Sequence, residues 1–363
     1  MRSKGMLTIV GCVFASALAT VHAQGQGQGQ AAAAFPPCLP QTAPAQAQGG
    51  QPQARGPAQP QGERDVTITE IPGIVAAGAK WTKVYQVPGN SADGIVATSD
   101  GGVLMAGEDL NQVTKLDQSG KAAVFIADTH GAGSLSVDRQ GRVYAVQRML
   151  DPRATASPSA PTTAAIVMLL PQRKVIASTF TDGSLLPGRP NDLAADSKGG
   201  AFFTQGCVYH ASPNGKITLV GVNLRTNGIV LSPDDKTLYV TNGMTIWAAS
   251  VQADGTLANW HEFSALAAPG ADGLAVDSTG RLYVSGGNDI KVISPQGMPL
   301  GLIPTPRATI SVGFSGPDKK TLYIVANGAQ DATGKPITEG PQQTGRTVYT
   351  LPMLAQGYKG RAK

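Results

Sequence analysis

The chain has 363 residues, a formal net charge of +5 and an aromatic content of only 5%. The charge is spread thinly, with no run of five basic residues and no aromatic side chains interleaved with Lys or Arg, so no nucleic-acid partner is expected. Three cysteines, Cys12, Cys38 and Cys207, allow at most one intrachain disulfide, which excludes a disulfide-built scaffold.

Residues 1–23 read as an export signal. Arg2 and Lys4 give a positive start, Met6 to Val21 are mostly apolar or small, and Val21-His22-Ala23 fits a small-x-small cleavage site. Gly11, Ser16, Thr20 and His22 interrupt the run, which falls short of the roughly 20 apolar residues of a membrane span. Ile9-Val10-Gly11-Cys12 resembles a lipoprotein box, but the apolar stretch before it is shorter than the usual ~7–15 residues. A secreted or periplasmic protein cleaved near Ala23 is expected.

Residues 24–64 are Gln, Gly, Ala and Pro with almost no large apolar side chain. Such a segment cannot bury enough surface to offset its ordering entropy, so it reads as a disordered tether. Residues 65–355 form one large domain and 356–363 a basic tail. No other stretch is long and apolar enough to span a membrane, and a monomer is expected. Cys207, in the folded part, reads as a small buried residue.

The folded part repeats one pattern six times, beginning at Asp93, Gly133, Asn191, Asn227, Asp272 and Ser311. Asp272-Gly-Leu-Ala-Val-Asp-Ser-Thr-Gly-Arg-Leu-Tyr-Val is typical: a short apolar strand, a turn rich in Asp and Gly, and a second strand. That is a β-hairpin signature. A third strand, a turn such as Ser294-Pro-Gln-Gly and a fourth strand such as Ala122–Ile126 follow. Four strands per unit of roughly 40 residues make the blade of a propeller. The one long interval carries a Pro-, Ala-, Ser- and Thr-rich insertion at 151–163. The expected fold is all-β, a six-bladed β-propeller. Val66–Ile71 and Lys83–Val87 are expected to close the ring by joining the last blade beside Thr347–Leu351.

The innermost strand of each blade runs along the central channel, so the first column of the repeat converges at one mouth. Asp93, Asn191, Asn227 and Asp272 put two carboxylates and two carboxamides there, ahead of buried strands. Unpaired, such groups are costly to bury. A divalent cation resolves this, and oxygen donors favour Ca²⁺, then Mg²⁺ or Mn²⁺, with Zn²⁺ a further option. Asp and Asn also cap ordinary turns; it is four in one register that points to metal. His130, three residues before Gly133, is a candidate substrate contact or base, against the bland reading of a solvated loop residue. His210 and His261 fall in outer strands. There is no Gly-x-Ser-x-Gly elbow and no Cys-x-x-Cys-His haem site.

Arg189-Pro-Asn-Asp-Leu, Thr226-Asn-Gly-Ile-Val-Leu-Ser-Pro-Asp, Ala271-Asp-Gly-Leu-Ala-Val-Asp and Phe314-Ser-Gly-Pro-Asp-Lys-Lys-Thr-Leu-Tyr together resemble the regucalcin/gluconolactonase (senescence marker protein) family. The resemblance runs from about Asp93 to Asn327. It implies a six-bladed propeller with one divalent metal, and in many members hydrolysis of sugar lactones. It places metal ligation on Asn227 and Asp272, proton handling on Asp272, and substrate contact on Arg189 and Asn191, with Asn191 also able to reach the metal. Two positions depart from the family: Asp93 stands where a Glu is usual, and Gly133 where bacterial relatives often have Asn. A metal-dependent lactonase acting on a small-molecule substrate is expected. The alternative is a non-catalytic exported propeller that binds a sugar, peptide or protein with a structural metal.

Overall fold

The structure, a computed structural model, describes residues 62–148, 163–339 and 344–360. The expected signal, most of the tether, the insertion up to residue 162 and the last three residues of the basic tail lie outside the described residues. Described residues form β-strands and turns, with no helix among them.

After β1 (Thr82–Pro88), the first sheet is a meander of β2 (Ile95–Ala97), β3 (Val103–Gly107), β4 (Gln112–Leu116) and β5 (Ala122–Ala127). β6 (Ala132–Val137), β7 (Val143–Gln147), β8 (Ala165–Leu170) and β9 (Lys174–Ala177) form the second in the same order. The third joins β10 (Thr179–Phe180), β11 (Leu193–Ala195), β12 (Ala201–Ala211) and β13 (Lys216–Thr226), with β10 on the outer edge, parallel to β13. The fourth contains β14 (Ile229–Leu231), β15 (Thr237–Asn242), β16 (Thr245–Val251) and β17 (Leu257–Ala265).

The remaining strands, β18 (Leu274–Val276), β19 (Leu282–Val284), β20 (Gly287–Ile293), β21 (Pro299–Ser315), β22 (Thr321–Asn327) and β23 (Gly345–Pro352), make one seven-stranded sheet with β1. Its hinge is the long β21. The first part of β21 pairs with β20 and its end, from Thr309 to Ser315, pairs with β22. One strand thus serves as the outer strand of one hairpin pair and the inner strand of the next.

The inner strands β2, β11, β14 and β18 are three residues long and buried throughout. Both of their faces are covered, so they read as continuous apolar runs rather than alternating ones. Gly94, Gly228 and Gly273 precede three of them. A Cβ at Gly228 would lie 2.0 Å from the Asp272 carbonyl oxygen, and one at Gly94 would lie 2.3 Å from Ser134 Oγ. These glycines have ordinary negative-φ backbone, so close approach of neighbouring inner strands demands them, not turn geometry. In the third sheet Asp192 holds the equivalent position. Its carboxylate accepts from Ser134 Oγ at 2.6 Å and from Ile229 N at 3.1 Å, linking three sheets.

The hairpin turns owe their shape to aspartate. Asp277 Oδ1 accepts from Thr279 N and Arg281 N, while Oδ2 takes Arg281 Nε and Tyr283 OH. Asp138 does the same for Gln140 N, Arg142 N and Arg142 Nε. The Asp-x-x-Gly-Arg-x-Tyr signature is therefore a self-capping turn.

Five apolar clusters fill the spaces between sheets, one of them joining β2–β4 to β22 and β23, and a sixth lies between the two halves of the seven-stranded sheet. β1 pairs antiparallel with β23, as expected of Lys83–Val87 and Thr347–Leu351. Val66–Ile71 differs from expectation. Pro72-Gly73 turns the chain back at once, with Ile71 N and Val75 N each bonded to the other's carbonyl at 3.1 Å. Ile68, Ile71, Ile74 and Val75 bury as a coil against β20–β23 instead. Glu63 and Arg64, at the end of the expected tether, already bond to Lys83, Tyr349 and the Thr305 carbonyl. Cys207 is fully buried, as expected, and is disulfide-bonded.

Candidate functional site

Where the inner strands begin, a cavity of about 290 Å³ opens. Asp93, Asn191, Asn227 and Asp272 all line it, together with Arg189. One local device places them. Asp93 N, Asn191 N and Asp272 N donate to the carbonyls of Ala106, Thr204 and Ser285 at 2.9, 2.7 and 2.9 Å, at the far end of the paired second strand. Asn227 N donates to Thr241 Oγ1 at 3.0 Å.

Three expected residues fall elsewhere. The β-bulge between Thr309 and Ser311 shifts the register, so Ile310 lines the cavity and Ser311 is buried beside it. Gly133 has no side chain to offer. His130 sits in a positive-φ loop with Nε2 3.7 Å from Asp128 Oδ2, and its side chain does not line the cavity.

Arg148, Arg346 and Asn90 also line the cavity, and none of them was singled out from the sequence. Arg148 follows β7. Its Nε donates to the Pro190 carbonyl at 2.9 Å, and Nη1 donates to Asp93 Oδ2 at 3.1 Å and Glu108 Oε2 at 3.0 Å. Nη2 donates to the backbone oxygen and Oδ1 of Asn191 at 2.9 and 3.2 Å. Burial opposes its charge, but Glu108 and Asp93 outweigh that and raise its pKa.

Glu108, only 3% exposed, also pairs with Arg189 and accepts from Asn90 Nδ2 at 3.2 Å. Asn90 Oδ1 accepts in turn from Arg346 Nη2 at 3.0 Å. Asn191 Nδ2 donates to Asn227 Oδ1 at 2.8 Å. The mouth is thus one connected polar network. Of its missed members, Glu108 and Arg148 sit just past the ends of β3 and β7, across the hairpin from the column read in the sequence, while Asn90 lies between β1 and β2 and Arg346 at the start of β23.

Asp272 stands apart. Its half-buried carboxylate makes no hydrogen bond or ion pair among the described residues. Burial, then Asp93 and Asp192, push its pKa well above the usual carboxylate range.

These features define an all-β, propeller-like protein with a polar, arginine-rich cavity at the mouth of its inner strands. Residues 167–328 match the family model described as SMP-30/Gluconolactonase/LRE-like region. The chain is 30% identical over 188 residues to a gluconolactonase of Zymomonas mobilis, covering 43% of this chain and 52% of that protein. It is 31% identical over 196 residues to the lactonase drp35 of Staphylococcus saprophyticus, covering 47% and 56%. The chain spans about half the length of the curated relatives it matches. Among solved structures, a gluconolactonase of Xanthomonas campestris superposes with a TM-score of 0.60 at 22% identity, covering 82% of this chain and 99% of that one. Regucalcin, a calcium-binding protein of Agrobacterium tumefaciens, gives 0.56 at 18%, covering 76% and 95%. These structural likenesses carry the fold. The resemblance read from the sequence is borne out: the chain carries an SMP-30/gluconolactonase-like region over residues 167–328.

The resemblance implies a divalent metal held by Asp93, Asn227 and Asp272, with Asn191 near. The residues present do not fit one. The Arg148 guanidinium already donates to Asp93 Oδ2 and to both oxygens of Asn191. A dication ligated by the same oxygens would stand roughly 4 Å from a fixed positive charge. At an effective dielectric constant of ~20, that repulsion is about 8 kcal/mol. Ca²⁺ also needs six to eight oxygens, as a general rule. No cluster of three His, Cys, Asp or Glu suited to a metal occurs among the described residues.

Proposed function

We propose that this protein hydrolyses a sugar lactone or similar small cyclic ester in the Arg189–Asp272 cavity. The observation that carries the reading is the pairing, in one small cavity, of a carboxylate, Asp272, that makes no hydrogen bond among the described residues with an arginine, Arg189, that also lines it. The gluconolactonase and lactonase relatives support the same chemistry. A cavity of about 290 Å³ suits a single sugar-sized ring.

Asp272 acts as general base: its carboxylate lines the cavity, and burial beside Asp93 and Asp192 raises its proton affinity. It takes a proton from water as the oxygen attacks the lactone carbonyl carbon. Arg189, whose side chain is 34% exposed, offers donors to the developing oxyanion. When the ring C–O bond breaks, the proton on Asp272 passes to the departing alkoxide, leaving a hydroxy acid. The divalent ion implied by the resemblance has no step here, because Arg148 already binds Asp93 and Asn191.

The same reading takes the fold as a six-bladed ring closed by β1 on β23. The six apolar clusters and the antiparallel β1–β23 pairing support it. It also takes the protein as exported through residues 1–23, for which the disulfide at Cys207 is the support, since such bonds persist in oxidising compartments.

Acid release in a pH-stat from glucono-δ-lactone and a panel of five- and six-membered lactones tests the activity. Turnover above the uncatalysed rate that falls at least ~100-fold in Asp272→Asn is expected. Equal rates for the variant and the unmodified protein would refute Asp272 as base.

A further inference from the structure

We propose that Arg148 is a resident cation of this cavity, a guanidinium that holds the column residues Asp93 and Asn191 from the space left by Gly133.

Gly133 carries the first part of the case. In the repeat its column bears a polar side chain at Asp93, Asn191, Asn227 and Asp272, all of which line the cavity, whereas the second unit has glycine. Its backbone does not require one, because Gly133 is absent from the positive-φ residues. Space does. A Cβ on Gly133 would lie 2.1 Å from Arg148 Nε, 2.2 Å from Cζ and 2.4 Å from Cδ. The volume vacated by the column side chain is the volume that the arginine fills. The two unusual residues are one feature, a column donor exchanged for a cation from the adjacent strand.

The hydrogen bonds carry the second part. A guanidinium has five N–H donors, and Arg148 directs them at five acceptors: Pro190 O, Asp93 Oδ2, Glu108 Oε2, Asn191 O and Asn191 Oδ1. Its side chain is 6% exposed. With every donor committed, Arg148 touches no substrate. It acts as a positioning residue that fixes Asp93, Asn191 and Glu108 and supplies a permanent positive field. A bound metal does the same work through coordination, but can exchange or be chelated.

The test is metal binding, so it stands independently of whether any lactone is turned over. The mature protein, stripped with EDTA and dialysed, is titrated calorimetrically with Ca²⁺, Mn²⁺ and Zn²⁺, with melting temperature followed in parallel. No saturable binding and no change in melting temperature are expected. Arg148→Ala, which leaves Asp93, Glu108 and Asp272 short of one positive charge, is expected to gain saturable binding of at least one of these ions. Arg148→Lys keeps the charge and is expected not to. One-to-one binding of a dication by the unmodified protein, with a raised melting temperature, overturns the proposal. So does a folded Arg148→Ala protein that gains no metal affinity. If that variant does not fold, the titration of the unmodified protein decides alone.

Discussion

At Asp272, burial and the nearby carboxylates of Asp93 and Asp192 outweigh Arg148 and Arg346 and hold the carboxyl well above its ordinary range. A carboxyl whose folded pKa is raised binds protons more tightly folded than unfolded. It therefore subtracts stability as pH rises from about 3.9, the unfolded value, through the folded value. Asp272→Asn removes that penalty. At pH 7 its melting temperature is predicted to equal or exceed that of the unmodified protein while turnover collapses, a combination read by differential scanning fluorimetry beside the pH-stat. A fall in melting temperature would mean that the carboxylate contributes to the fold. Asp196 behaves in the opposite sense. Burial pushes it up, but the hydrogen bond from His210 Nε2 at 2.8 Å and those from Gly200 N and Lys198 N leave it below its usual value. Its contribution is present above pH ~3.9 and fades as pH falls through the lower folded value. Asp196→Asn is predicted to be less stable at pH 7 and to have a flatter acid limb in an unfolding series from pH 6 to 2. An unchanged acid limb would remove this pair from the account.

At the scale of the elements, turns and close strand contacts set the geometry that the cavity inherits. Asp277 is fully buried and serves both backbone and side-chain donors of its own turn. Asp277→Ala strands those donors at a cost of about 3 kcal/mol or more, to be read as a lower urea midpoint at unchanged slope. Gly228→Ala tests the close approach of β14 and β18. The added methyl must displace the Asp272 carbonyl, so a loss of about 1–3 kcal/mol is predicted, with turnover falling more than stability alone explains. The column Asp93–Asn191–Asn227–Asp272 was legible in the sequence because one register recurs ahead of each inner strand. Arg148 and Glu108 were not, because second-strand exits vary in residue type and show no recurring column, and Arg346, at the start of β23, lies outside the repeated hairpin. Ile310 was missed by one position, since nothing in Ile310-Ser311-Val312 announces the bulge that moves the register.

Across the whole molecule, the strands that open and end the described domain pair with each other, so neither half of the seven-stranded sheet is independent of the N-terminal segment. Residues 62–88 supply β1 and the buried Ile68, Ile71, Ile74 and Val75. Four such side chains contribute about 6 kcal/mol or more, a large part of a typical domain's stability, and their removal bares the edge of β23. Deleting 62–88 is predicted to give protein that aggregates with concentration in light scattering; a monodisperse product with unchanged melting temperature would argue against this closure. The β1–β23 pairing was expected because first and last strands would otherwise leave unpaired edges. The coil at 66–75 was not, because its isoleucines satisfy a strand pattern that Pro72-Gly73 cuts short. The most direct test of the account is a crystal structure of Asp272→Asn soaked with a lactone it binds but no longer opens. The account predicts the ring in the cavity, its carbonyl oxygen facing Arg189, residue 272 one water away from the carbonyl carbon and the Arg148 guanidinium in place beside Asp93. Lactone bound elsewhere on the protein, with the cavity holding only solvent, would contradict it.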